Sequence, residues 1–171
     1  GFLIHLINKD DLFIDIGANL GSYSQLASGL CKCKSIAFEP VPTTFKRLSE
    51  NIKINHLIAK VQLRNLALNN EKRDKILFSI DKGPCNSIVD SSYQGKKKLV
   101  EVSSLDIECR LLDPVLLKID VEGYEENILK GAVKTLMKDS VLAIIIEGQT
   151  KNVNNLLSSF GFEDFNYDPF L

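Results

Sequence analysis

Two groups of residues in this sequence carry side chains whose types and spacing could do chemistry. The first is Asp15-Ile16-Gly17-Ala18-Asn19-Leu20-Gly21, an acid leading into a glycine turn, with Glu39 some twenty residues further on. Glycines at such a turn let the backbone approach a ligand closely, and an acid closing the next strand can take both hydroxyls of a ribose through its two acceptor oxygens. A dinucleotide site would read Gly-x-Gly-x-x-Gly. Here the middle glycine is Asn19, and Asp15 is badly placed for a pyrophosphate but suits an ammonium group or an ordered water beside it. The pair favours an amino-acid-bearing, adenosine-type cofactor over a nicotinamide one. The second group is Lys118, Asp120 and Glu122, alternate residues that share one side if their strand runs that far, bringing a cation and two carboxylates together.

The elements that must position these groups are readable from hydrophobic pattern. Leu12 to Gly17 is a short apolar run suited to a buried parallel strand, and Gly21 to Leu30 reads as a helix with Leu26, Ala27 and Leu30 at helical spacing. Ser35 to Glu39 is a second strand stopped by Pro40 and Pro42, followed by a helix with Phe45, Leu48 and Ile52 on one face, and then a strand over Val61 to Leu68. Ile76–Ile80, Ser87–Asp90 and Leu99–Val102 follow without helices between them, which predicts an inserted antiparallel hairpin over about 75–104, with Lys96-Lys97-Lys98 as a solvated edge. Alternation resumes with a strand at Val115–Val121, a helix striped by Ile128, Leu129, Ala132, Val133, Leu136 and Met137, a strand at Val141–Glu147, a helix at Val153–Phe160 and a last strand at Phe162–Tyr167. The expected fold is α/β: one domain over 1–171, a Rossmann-like, mostly parallel, doubly wound sheet with the hairpin inserted. Ligands of such sheets bind beyond the carboxyl ends of the strands, so Asp15–Gly21, Glu39, Asn65–Ala67, Asp120–Gly123 and Glu147 are expected in one crevice.

Composition narrows the partners. The chain has 171 residues, 44% hydrophobic and 25% charged, with 21 Lys plus Arg against 22 Asp plus Glu, so it offers no basic field for a phosphate backbone and a nucleic-acid substrate is not expected. Apolar runs such as Val141–Ile146 are too short to span a bilayer, and Phe2–Ile7 lacks the flanks of a signal peptide, so a cytoplasmic location is expected. Cys31, Cys33, Cys85 and Cys109 lack zinc spacing and read as free thiols in a reducing compartment.

The residues Phe13-Ile14-Asp15-Ile16-Gly17-Ala18-Asn19-Leu20-Gly21-Ser22-Tyr23-Ser24, Phe38-Glu39-Pro40 with Phe45, Leu48, Asn51 and Asn55, Asn65-Leu66-Ala67-Leu68, and Leu117-Lys118-Ile119-Asp120-Val121-Glu122-Gly123-Tyr124-Glu125 resemble the FkbM family of S-adenosylmethionine-dependent methyltransferases. The resemblance runs in order from about Leu12 to Gly148, and Lys-x-Asp-x-Glu-Gly-x-Glu is its most specific motif. It implies a class I methyltransferase fold, S-adenosyl-L-methionine as cofactor, and methyl transfer to a hydroxyl of a sugar, glycan or small natural product. It also implies that Asp15, Gly17, Asn19 and Gly21 line the methionine part, Glu39 binds the ribose, and Asn65, Leu66 and Ala67 border the adenine, with Ala18, Tyr23, Pro40 and Asp120 among the cofactor contacts. Leu66 stands where many other methyltransferases carry an acid, which leaves adenine recognition to the backbone. The fold normally closes with an antiparallel strand pair, of which only Phe162–Tyr167 is evident, so this end is expected to be truncated.

For the transfer itself, Asp120 is the first choice of general base and Glu122 the second, with Lys118 orienting one of them; the competing reading makes Lys118–Glu122 a structural ion pair and Asp120 a helix cap. Glu125 and Glu126 fit the start of a helix, where they complement its dipole. His5 and His56 fall away from the crevice, and the carboxylate spacing does not require Mg²⁺, so no metal is expected. Glu147 and Asn86-Ser87 are candidate acceptor contacts. The alternatives are a nicotinamide-dependent oxidoreductase and a cofactor-binding module without turnover.

Overall fold

The computed structural model describes residues 1–71, 73–81, 87–148, 150–165 and 167. The chain opens on a short helix, α1 (Phe2–Leu6), which was not expected, and continues through β1 (Leu12–Ile16), α2 (Ser22–Gly29), β2 (Lys34–Phe38), α3 (Pro42–Ile54) and β3 (Val61–Arg64). After an inserted segment come β7 (Leu116–Ile119), α5 (Glu125–Lys130), α6 (Val133–Leu136), β8 (Ala143–Ile146) and α7 (Lys151–Ser159). These strands form one parallel sheet in the order β3-β2-β1-β7-β8. The central strands are apolar on both faces because helices cover both. Phe13 and Leu116 pack towards α1 and α2, whereas Ile14, Ile16, Leu117 and Ile119 pack towards α5, α6 and α7. The chain steps outwards from β1 to β3 and then returns to lay β7 on the other side of β1. The order reverses at this β1/β7 seam, which is where a doubly wound sheet opens a crevice.

The insertion is a second sheet rather than a bare hairpin. It holds β4 (Ala67–Leu68), β5 (Arg73–Ser79) and β6 (Lys97–Ser103) in the order β4-β6-β5, with β5 antiparallel and β4 parallel to β6. The helix α4 (Leu105–Glu108) leads from it back to β7. Val61–Leu68 is therefore two strands in two sheets. They separate at Asn65, whose Nδ2 donates to the Glu39 carbonyl at 2.8 Å and the Pro40 carbonyl at 3.1 Å, turning the chain away from β2. Val41, Ala67, Phe78, Val100 and Val102 form a small core of their own between this sheet and the crevice. Of the expected strand Ser87–Asp90, only an isolated bridge from Ile88 to Phe78 exists. Cys85 and Asn86 lie outside the described residues.

Three further expectations are corrected. In α2 the buried residues are Ser24, Ala27 and Ser28, while Leu26 and Leu30 are exposed; the inner face is small and polar because Ser24 bonds Asp15 and Ser28 bonds Ser35 at 2.7 Å. The helix expected through Met137 is broken at Gly131, where a side chain would meet the Asn69 carbonyl oxygen at 2.1 Å; α6 restarts under Asp106, which accepts from the Lys134 and Thr135 amides. Residues 162–165 are not a strand. Phe165 and Tyr167 instead set ring edges against Phe2, with centroids 5.1 and 5.4 Å away, and the Tyr167 hydroxyl bonds the His5 ring, so this segment turns onto α1.

Candidate active site

At the β1/β7 seam the register pairs Asp15 directly with Lys118. Both point to the face covered by α2, and both are buried, at 0% and 3% exposed. The Ser24 amide and hydroxyl donate to Asp15 Oδ2 at 3.1 and 2.7 Å, so Asp15 holds down the first turns of α2, while Oδ1 is buried with no partner among the described residues. Burial pushes the Asp15 carboxyl above the usual carboxylate range, against the pull of the Ser24 bonds and the Lys118 charge. The Lys118 ammonium donates to Asp120 Oδ2 at 2.9 Å and lies 4.7 Å from the centre of the Tyr23 ring. Lys118 therefore pairs with Asp120 and not with Glu122, and it fixes Asp120 from behind. β7 stops at Ile119, and Glu122 takes a left-handed φ of 53°, so strand alternation does not carry Glu122 to its place; the turn does.

The glycine turn is shaped by its neighbours. Gly17 and Ala18 both donate to the Phe38 carbonyl, at 3.1 and 2.9 Å, which ties the turn to the end of β2. A side chain at Gly17 would stand 1.9 Å from the Asp120 carbonyl oxygen, and φ there is 76°. Glycine at this position is thus demanded by the adjoining strand end, a different reason from close approach of a ligand. Gly21 meets Leu48 of α3 in the same way, at 2.4 Å from an added Cβ. Glu39 is clasped between two backbone donors, the Asn19 amide at 3.0 Å on Oε2 and the Val41 amide at 2.9 Å on Oε1. Burial nevertheless pushes its carboxyl up to about 7, because the two amides offset only part of the desolvation. Each oxygen still has a second lone pair to offer.

The crevice has two joined parts. A polar chamber of ≈ 190 Å³ is walled by Gly17, Asn19, Glu39, Thr44, Asp120, Val121, Glu122 and Glu147. An apolar slot beside it is walled by Ile16, Phe38, Leu66, Ala67, Leu68, Ile88, Tyr124 and Ile128, and both parts share Gly17, Pro40, Phe78 and Val121. The structure therefore brings together Gly17, Asn19, Glu39, Pro40, Leu66, Ala67, Asp120, Glu122 and Glu147 of the expected residues. Asp15, Ala18, Gly21, Tyr23, Asn65, Ser87 and Lys118 do not wall it. Asp15 and Lys118 lie under α2, with Tyr23 against Lys118; Ala18 and Gly21 face α3; Asn65 braces the Glu39 and Pro40 carbonyls; and Ser87 is bonded to Ser79. Phe78 and Ile88 had no signal beyond an apolar strand pattern. Val41 and Thr44 follow the Glu39-Pro40 corner and could have been found from it.

These walls suit a ligand with a flat apolar ring, vicinal hydroxyls and a positively charged end, which are the parts of S-adenosylmethionine. A doubly wound sheet with this cleft at its switch point defines a Rossmann-like fold. The family model described as "Methyltransferase FkbM domain" matches residues 15–164, and the chain belongs to that family. The hexuronic acid methyltransferase AglP of Haloferax volcanii is 29% identical over 160 residues, covering 91% of this chain and 65% of AglP, so the chain spans about two thirds of that relative's length. Among solved structures, precorrin-6y C5,15-methyltransferase from Geobacter metallireducens superposes with a TM-score of 0.55 at 18% identity, over 93% of this chain and 65% of that one. The N-terminal domain of human METTL16 in complex with SAH gives 0.51 at 13% identity, over 94% and 56%. At these identities the two structures speak to the fold alone. Among the described residues no helix is long and apolar enough to cross a membrane.

Proposed function

We propose that this protein transfers a methyl group from S-adenosylmethionine to a hydroxyl oxygen of a sugar, glycan or other small hydroxylated metabolite, with Asp120 as general base. The observation that carries this reading is the placement of Asp120. Its Oδ2 is anchored by the buried Lys118 ammonium at 2.9 Å, its carboxylate stands on the chamber wall, and its Oδ1 has no bond to any described residue. The hexuronic acid in the AglP name supports a carbohydrate acceptor.

The bound cofactor supplies an electrophilic methyl on a sulfonium. An aliphatic alcohol ionises near water's own pKa, about 15.7, so no carboxylate of ordinary pKa, about 3.9, can strip its proton in advance. The proton leaves late, as the oxygen gains its third bond to the incoming methyl, and a carboxylate within about 3 Å then takes it, leaving the neutral ether; such help is worth roughly 10² to 10⁴ in rate. Lys118 keeps the acceptor oxygen of Asp120 in one orientation. The chamber walls of Gly17, Asn19 and Val121 contribute by orienting the reactants and excluding water. Glu39, with a spare lone pair on each oxygen, holds the ribose hydroxyls, and the Leu66–Leu68 and Phe78 walls enclose the adenine. Glu122, in an exposed turn, is the second candidate base.

The test uses methyl-labelled S-adenosylmethionine with panels of glycosides and hydroxylated metabolites. The expected result is calorimetric binding of the cofactor, weakened by Glu39→Ala, together with label in a stable O-methyl ether. Cofactor binding with no labelled acceptor in any panel would instead mark a binding module without turnover.

A further inference from the structure

The charges on the crevice walls are one-sided. Glu39, Asp120, Glu122 and Glu147 stand on them, and among the described residues no Lys, Arg or His does. Two of the four are already answered: Glu39 by the Asn19 and Val41 amides, Asp120 by Lys118. Glu122 and Glu147 are exposed, and their carboxylates have no hydrogen bond or ion pair to any described residue. They sit just past neighbouring strand ends, since Ile119 of β7 is in register with Ile146 of β8 and the Glu147 amide donates to the Ile119 carbonyl at 3.1 Å. The proposed base, Asp120, therefore lies at a mouth where, among the described residues, the uncompensated charges are two carboxylates.

We infer that Glu122 and Glu147 make the acceptor site selective by charge: it takes a neutral or amine-bearing polyol and turns away acceptors that carry a carboxylate, phosphate or sulfate. This rests on the reading that the cleft methylates a hydroxylated acceptor, and it adds which kind. Carboxylate oxygens accept hydrogen bonds from vicinal hydroxyls and from ammonium groups, so the same two residues that repel an anion can hold a sugar. The cofactor brings one net positive charge, which offsets a single carboxylate and leaves the mouth negative. Between unit charges several ångströms apart at a protein surface, repulsion disfavours an anion roughly tenfold per carboxylate.

The test uses the full chain, labelled S-adenosylmethionine and three matched acceptors: a methyl hexopyranoside, the corresponding methyl hexuronoside and its 2-amino counterpart. The neutral and amino glycosides should exceed the uronoside in kcat/KM by at least about tenfold, with the gap narrowing as salt rises. Glu122→Gln and Glu147→Gln should each raise the uronoside relative to the neutral glycoside by several-fold, a ratio that needs no assumption about either variant's absolute rate. A uronoside used as well as the neutral glycoside, or a ratio unmoved in both variants, overturns the inference while leaving the methylation of hydroxyls standing. Label in none of the three, with the cofactor bound, overturns that underlying reading, and the inference falls with it.

Discussion

The polar chamber and the apolar slot share Gly17, Pro40, Phe78 and Val121, yet they are built by different means. The chamber is made from the ends of parallel strands, and its acids are held by directional bonds: two amides on Glu39 and an ammonium on Asp120. The slot is made where the second sheet folds over the first, and its walls are held by packing in the small core of Val41, Ala67, Phe78, Val100 and Val102. Directional bonds fix atoms to a few tenths of an ångström and respond to pH, whereas packing fixes a shape and does not. The chamber should therefore govern rate and pH dependence, and the slot should govern affinity alone.

The largest effect is expected at Gly17, which belongs to both parts. Gly17→Ala drives a methyl into the Asp120 carbonyl at a left-handed backbone position and should cost at least about 3 kcal/mol, or the fold itself, by denaturant titration. Next is Asp120→Asn, which should lower kcat roughly 10²- to 10⁴-fold while the cofactor Kd moves little; an unchanged kcat removes Asp120 from the role of base. In the slot, Phe78→Ala should cost about 3 kcal/mol of stability and weaken cofactor binding roughly tenfold, with the pH profile unmoved. A shifted pH profile in that variant would show that the slot and the chamber are not separable.

The pH effects centre on Glu39, whose carboxyl burial raises from 4.5 to about 7. The folded protein keeps a proton there that the unfolded chain has lost, so stability should fall as pH rises from 4.5 towards 7, by roughly 1.4 kcal/mol per unit at most. The ribose hydroxyls donate to the ionised carboxylate. Cofactor affinity should therefore run the other way, rising with pH up to about 7 and levelling above it. Glu39→Gln should flatten both slopes, measurable by denaturation and by calorimetry across the same buffers. The smallest effect is expected from Asn65→Ala, which removes two bonds to the Glu39 and Pro40 carbonyls and should cost about 1 kcal/mol.

The parallel sheet was legible because β1, β2, β7 and β8 are short apolar runs between helical patterns, a local signal. Where expectation failed, a distant residue had intervened. Asn69 forbids a side chain at Gly131 and breaks the helix after Lys130, and Asn65 bends the chain out of one sheet and into another. Phe2 draws Phe165 onto α1 where a strand was expected. Leu26 and Leu30 fit a helical stripe, yet they face outwards because Asp15 and Ser35 required hydroxyls on the inner face of α2.

By itself, the sequence determined which chemistry the chain holds: acids and glycines at the ends of strands, in the order and spacing of the FkbM family, on a fold that gathers such ends into one crevice. Those features are encoded within a few residues of one another, where covalent geometry and hydrophobic period suffice. Only the tertiary structure decided how the groups are used. It set Asp15 beside Lys118 under a helix instead of in the cleft, pressed Gly17 against Asp120, raised Glu39 by burial and left the Glu122 and Glu147 carboxylates at the mouth with no partner among the described residues. Each of these depends on strand register or desolvation, which are properties of residues far apart in the chain and have no local signature to read.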